Sequence, residues 1–219
     1  MSENEDKSLL MDLKILVLGK SGTGKTSFVN KWIKNEFHDL YKATIVSEYS
    51  AKIYIHENKK YKINLWDIAG QDHYATVTKT FSKGAHGCIT MCDCLDSSSL
   101  ENTVNWKTSL DESELFGDGK KLPNILVQNK ADLISENELQ DMTKLEEFSK
   151  KNEFDACFKV SAKTGHNIKE SMDALIDIII KRLKTISDKD VNLNRKSVSI
   201  DPEKHSNQDK YRSKQTGCC

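Results

Sequence analysis

Short apolar runs rich in β-branched residues recur along the chain at Leu13 to Leu18, Lys52 to Ile55, Lys62 to Asp67, Gly87 to Asp93, Asn124 to Asn129 and Ala156 to Val160. Each has the length of a strand. Helix-length segments separate most of them or follow the last: Lys25 to Asn35, Asp72 to Lys83, Ser99 to Leu115, Asn137 to Lys151 and Asn167 to Leu183. Strands alternating with helices predict an α/β fold, with a six-stranded, mostly parallel sheet and helices on both faces. The second and third strands are the exception, because only the short polar turn His56 to Lys60 joins them. They predict a hairpin and hence one antiparallel edge strand. In the final helix Ile168, Met172, Leu175, Ile176, Ile179 and Leu183 share one face, a stripe that predicts packing on the sheet and closure of the domain.

This places one domain at residues 12–186, with a flexible N-terminal extension at 1–11 and a tail at 187–219. The extension is polar and acidic and lacks the basic start and apolar run of a secretory signal, so a cytoplasmic protein is expected. Ser187 to Gly217 carries few apolar residues, seven Lys/Arg and five Asp/Glu, too little to bury for a fold, and reads as a disordered tether. No stretch approaches the roughly 20 apolar residues of a spanning helix. The 219 residues are 37% hydrophobic and 30% charged, with a formal net charge of zero, so no basic field points to nucleic acid as a partner. Cys88, Cys92 and Cys94 have even spacing, which on a strand lines them along one face and suits burial better than tetrahedral zinc. The six histidines show no metal-ligand spacing.

Chemistry enters at Gly19-Lys20-Ser21-Gly22-Thr23-Gly24-Lys25-Thr26, which follows the first strand and opens a helix. The pattern GxxxxGK[ST] in that context predicts a phosphate-binding loop. Backbone N–H groups of Ser21, Gly22, Thr23 and Gly24 curl round the phosphates, Lys25 reaches the β- and γ-phosphates, and the Thr26 hydroxyl binds Mg²⁺. Asp67, at the end of the third strand, is placed to hold the metal through water, and Gly70 offers an unobstructed N–H to the γ-phosphate. Gln71 is placed to orient an attacking water, the alternative being a solvated loop glutamine. Thr44 lies where it could bind Mg²⁺ only while γ-phosphate is present.

Asn129-Lys130-Ala131-Asp132 follows the fifth strand, at the carboxyl edge where open α/β sheets bind ligands. The Asp132 carboxylate can accept from guanine N1–H and the exocyclic amine, a pair that adenine cannot present and whose absence would leave the carboxylate unpaired. The Lys130 stem lies along the ring. Ser161-Ala162-Lys163 follows the sixth strand, with the Ala162 N–H placed for the guanine carbonyl, and Phe37 could stack on the base. An ordinary loop tripeptide and a core phenylalanine are the alternatives. Bound GTP or GDP with Mg²⁺ is therefore the expected ligand set.

With the phosphate loop, Thr44, DIAGQ, NKAD and SAK in this order, residues 12–186 resemble the Ras superfamily of small GTPases. Trp66 in WDIAGQ and the run Lys83 to Gly87 look like its Rab branch. Ile68, where a threonine is usual, and the Gly117 to Lys121 loop look like the Rabs that serve lysosome-related organelles. The resemblance implies a switch that recruits effectors in vesicle trafficking, with an exchange factor, an activating protein and a lipid-masking carrier as partners. It implies residence on the cytoplasmic face of endomembranes beside a soluble pool. It also implies an aromatic triad, Tyr49, Trp66 and Phe81, that reads out the nucleotide; plain core aromatics are the alternative. Ile45-Val46-Ser47-Glu48-Tyr49 and Asp72-His73-Tyr74 depart from the Rab pattern in both switches.

The chain ends Gly217-Cys218-Cys219, similar to the double-cysteine Rab terminus that receives two geranylgeranyl groups, with unmodified thiols as the alternative. Two chains are what stable anchoring needs. The arginines are Arg182, Arg195 and Arg212, none placed as an arginine finger, so unaided hydrolysis is expected to be slow. A scaffold that holds GTP permanently with little hydrolysis is the second reading.

Overall fold

A computed structural model describes residues 11–40, 43–44, 47–70 and 74–197. The strands are β1 (Met11–Gly19), β2 (Glu48–His56), β3 (Lys59–Asp67), β4 (Gly87–Asp93), β5 (Asn124–Asn129) and β6 (Ala156–Lys159). They form one six-stranded sheet in the order β2-β3-β1-β4-β5-β6. All neighbours are parallel except β2 and β3, as the short connection between them requires. That connection is tighter than expected. Glu57 and Asn58 alone make the turn, both with positive φ (45° and 61°), the backbone that lets a two-residue loop follow the twist of its strands. β2 starts four residues before the predicted Lys52, because pairing with β3 continues to Glu48 opposite Asp67. On an edge strand facing water, polar residues hide that extent from an apolar pattern.

The helices are α1 (Lys25–Lys34), α2 (Tyr74–Phe81), α3 (Ser97–Ser113), α4 (Glu136–Gln140), α5 (Thr143–Lys151) and α6 (Ile168–Ser197). α1 and α6 pack on one face of the sheet and α3 on the other, with α2 against α3. The predicted stripe of α6 is buried at Ile168, Met172, Leu175, Ile176 and Ile179, against β-strand residues such as Ile15, Val17, Ile63, Ile89 and Ile125. Leu183 is half-buried at the end of the stripe.

Two helices differ from expectation. The segment from Asn137 to Lys151 is interrupted, because the Lys159 ammonium takes the Glu138 and Asp141 carbonyls that a continuing helix would use. Asp141 Oδ1 then accepts from Thr143 N at 3.0 Å and starts α5. α6 continues past Leu183 to Ser197, so the stretch beyond residue 187 begins as helix. That continuation contains no glycine or proline to break the helix. Cys88 and Cys92 are buried, and burial pushes the Cys88 thiol up to about 12 and Cys92 in the same direction. Cys94 lies just beyond the strand and is half-buried.

His86 fastens β1 beside the start of β4. Its Nδ1 accepts from Lys14 N at 3.0 Å, and its backbone N–H donates to Lys14 O at 2.8 Å. Burial is the main cause that lowers its pKa, the Lys14 ammonium adds to it, and Asp12 opposes. A group whose folded pKa is depressed stabilises the fold above its unfolded value and loses that contribution as pH falls. Stability of the wild-type chain is therefore expected to drop more steeply between pH 7.5 and 5.5 than that of His86→Gln, read by urea unfolding at each pH. Parallel profiles would remove His86 as the cause.

Candidate functional site

β1 ends at Gly19, whose φ of 140° and approach to β4 exclude a side chain: a Cβ there would stand 2.2 Å from the Met91 carbonyl oxygen. The chain then turns through Gly22 (φ 82°) and Gly24 (φ 89°), both left-handed, into α1 at Lys25. Gly24 offers no side-chain cap, so the first turn of α1 keeps its donors and positive dipole end toward a cleft of about 620 Å³.

The Lys25 ammonium is buried in the curl of this loop, donating to Gly19 O at 2.8 Å and Lys20 O at 3.0 Å. Burial lowers its pKa to about 8, opposed by Asp67. Beside it, the Thr26 hydroxyl donates to Asp67 Oδ2, so its single proton is used. Thr44, whose Oγ1 lies 2.8 Å from Thr26 Oγ1, is then the donor of that pair. Asp67 is 2% exposed, and its Oδ1 has no hydrogen-bond partner among the described residues. Burial raises its pKa. Two hydroxyls and a carboxylate with an unsatisfied oxygen are a hard-oxygen donor set, the kind that suits Mg²⁺.

Gly70 closes the glycine-loop end of the cleft. Its carbonyl accepts from Ser21 N at 3.0 Å, and a Cβ on it would come within 2.5 Å of Lys25 Nζ and of Ser21 N. Gln71, the expected water-orienting residue, lies outside the described residues.

At the other end, Asn129 is 2% exposed and both ends of its amide are used. Its Nδ2 donates to Thr23 O at 2.9 Å and its Oδ1 accepts from Ala162 N at 3.0 Å. The Ala162 N–H expected for the guanine carbonyl is thus held by Asn129 in this arrangement. Asn129 serves as a tie between two loops. The Asp132 carboxylate is exposed to the cleft and oriented by the Ser161 hydroxyl, 2.5 Å from Oδ1, while Ser161 Oγ accepts from Thr164 N at 3.1 Å. Lys130 sits in the left-handed region (φ 67°), its ammonium 2.6 Å from Asp93 Oδ2. Lys163 approaches Asp39 at 3.9 Å across the mouth. Phe37 both lines the cleft and packs on the core, so its two expected roles coincide.

Among the described residues predicted to hold nucleotide or metal, only Thr23, Asp67 and Ser161 stand behind the cleft wall; the others line it. Sequence reading missed the residues that brace it. Lys20 pairs with Asp96 at 3.0 Å, fixing the loop to the start of α3, and Asp93 holds Lys130. Asp93 was within reach, since the β4–β5 register sets it opposite Asn129. Ser27 and Asn30 of α1 also line the cleft. Away from it, the three aromatics are contiguous: Tyr49 meets Trp66 edge-on at 5.5 Å and Trp66 meets Phe81 at 5.9 Å. Tyr49 is 50% exposed, whereas Trp66 and Phe81 are half-buried against the core.

A glycine loop feeding a helix from the first of several parallel strands, with a second motif at the carboxyl ends of β5 and β6, defines a phosphate-loop nucleotide-binding protein. Residues 14–181 match the Ras family. The chain is 34% identical over 170 residues to Ras-related protein Rab-32A of Dictyostelium discoideum, covering 77% of this chain and 78% of that one. It is 32% identical to human Rab-32 (76% and 74% covered) and 31% identical to human Rab-7L1 (77% and 82%). The chain belongs to the Ras family of small GTPases, enzymes that hydrolyse GTP, and is similar to their Rab members. The isoleucine of WDIAGQ and the similarity to Rab-32 agree on the branch.

Replacing Asn129 by Ala would leave the Thr23 carbonyl and the buried Ala162 N–H without partners. Two unsatisfied groups at about 1–3 kcal/mol each should lower stability and speed release of a fluorescent guanine nucleotide at least tenfold. Unchanged melting and release would show the tie to be dispensable.

Proposed function

We propose that this GTPase is a Rab-type switch that cycles between GTP- and GDP-bound states and recruits effectors in vesicle trafficking. One observation carries the reading: Lys25, Thr26, Thr44 and Gly70 meet at one end of a cleft whose other end presents Asp132. Lys25 and the loop N–H groups hold the phosphates, and Asp132 selects guanine over adenine by accepting two hydrogen bonds that adenine cannot donate. Thr26, Thr44 and, through water, Asp67 would hold Mg²⁺, which when bound offsets charge on the phosphate oxygens. The unsatisfied Asp67 Oδ1 and the short Thr26–Thr44 approach support that assignment. Gln71 orients the attacking water.

The switch operates through Thr44 and Gly70, which engage the γ-phosphate in the GTP state and are released on hydrolysis. Tyr49, Trp66 and Phe81 form the surface that effectors read, and Tyr49 and Trp66 lie on the two strands between the switches. An arginine must come from an activating protein, for Arg182 is committed to Asp118 and stacked over Phe116 at 4.4 Å. Such an arginine contributes about 10³ to 10⁵ in rate. An exchange factor would restart the cycle.

No described helix is long and apolar enough to cross a membrane. Attachment to the cytoplasmic face of endomembranes rests instead on prenyl groups at Cys218 and Cys219, with a carrier that masks them in a soluble pool. Cys218→Ser with Cys219→Ser should move the protein from the membrane pellet to the supernatant on cell fractionation. Retention in the pellet would remove the anchor.

The reaction itself is tested by single-turnover hydrolysis with Mg²⁺. Purified chain should convert GTP slowly and leave ATP untouched, and Gln71→Leu should reduce the rate by at least tenfold. Tight GTP binding without turnover in either form would favour the permanent scaffold.

A further inference from the structure

The glycine loop and the loop after β5 frame the two ends of the cleft, and each sends a lysine to the same short turn: Lys20 to Asp96 and Lys130 to Asp93. That turn runs from Asp93, the last residue of β4, to Asp96, which caps α3, and none of its four residues lines the cleft. Its backbone is clamped. The fully buried Ser99 spans both of its ends, the hydroxyl accepting from Asp93 N at 2.8 Å and donating to Asp96 O at 2.6 Å. Asp93 Oδ1 accepts from Leu95 N at 2.9 Å, which leaves Oδ2 for Lys130 Nζ at 2.6 Å. Asp96 Oδ1 accepts from the Ser98 hydroxyl at 2.6 Å, which leaves Oδ2 for Lys20 Nζ at 3.0 Å. Ser98 and Lys20 hold the Asp96 carboxyl down at about 2, so it is anionic at neutral pH.

We propose, taking the cleft as the guanine-nucleotide site, that this turn positions both of its ends and that Asp93 and Asp96 set how long the nucleotide is retained. Asp96 acts through the backbone of Lys20. The Lys20 carbonyl accepts from the Lys25 ammonium at 3.0 Å and from the Thr23 hydroxyl at 2.9 Å, so anchoring the Lys20 side chain steadies the seat of the phosphate-binding lysine. Asp93 acts through Lys130, which lies in the left-handed region two positions before Asp132. Its stem runs from the cleft wall to Asp93, so the ion pair fixes the course of the stem along which the base lies. Both acids are positioning residues: they stand outside the cleft and govern retention rather than the attacking water.

Asparagine at either position keeps an acceptor oxygen for the turn and takes the charge away from the lysine. In the full-length protein, Asp93→Asn and Asp96→Asn should each speed release of fluorescent GDP about threefold, the scale of a partly exposed ion pair. Single-turnover hydrolysis of GTP already bound should stay within about twofold of wild type, because that assay separates chemistry from binding. Lys20→Gln with Asp96→Asn should release no faster than Asp96→Asn alone, since the two residues act through one contact.

Additive acceleration in that pair would reduce Asp96 to its capping role and overturn the proposal. Unchanged release in either asparagine variant would do the same, as would hydrolysis slowed by as much as release is speeded. Asp132→Ala is the control on the site itself and should release GDP faster than wild type. An unchanged rate there would remove the cleft as the nucleotide site, and the role of the turn with it.

Discussion

The buried amide of Asn129 is the constraint on which the site depends. One side chain, from the end of β5, holds the phosphate loop through the Thr23 carbonyl and the β6 loop through the Ala162 N–H. Each of these loops follows a different strand, β1 and β6. Without the tie, each end of the cleft would keep its own braces, Lys20 on Asp96 and Lys130 on Asp93, but lose this link to the other. With it, a displacement at either end is transmitted to the other. A carboxamide is the group that can do this, because it donates at one end and accepts at the other. An aspartate in its place would face the Thr23 carbonyl with an oxygen.

The same logic of commitment explains which residues stand ready and which are braced. Lys25 is buried among carbonyl oxygens, and its lowered pKa records how little that cavity compensates its charge. Anionic phosphate is the compensation such a cavity lacks. Asp67 is its counterpart: buried, raised in pKa and left with one unsatisfied oxygen. Both groups carry a desolvation cost that a phosphate and a divalent cation together would offset, so the strain of the site and its ligand preference have one cause. Lys130 and Lys20, by contrast, are already paired with Asp93 and Asp96, and they stiffen the walls.

Much of this was legible in the sequence because it rests on local rules. Strand and helix alternation gave the sheet, the short connection gave its antiparallel edge, and the glycine spacing gave a loop that the φ values of Gly22 and Gly24 bear out. What escaped depends on contacts between distant segments. No periodicity within Asn137 to Lys151 reveals that Lys159, from another strand, ends the first of two helices there. The Ala162 N–H reads as free for a base until Asn129, far away in sequence, is seen to accept from it. The extent of β2 was hidden for a different reason, since an edge strand exchanges its polar residues with water and keeps only its pairing.

β2 brings several of these constraints together. Its inner face is fixed by Tyr54 on Asp173, its upper end carries the aromatic surface, and its outer face leaves two isoleucines in water. Charge on that face would blunt the edge but remove the apolar contact it offers.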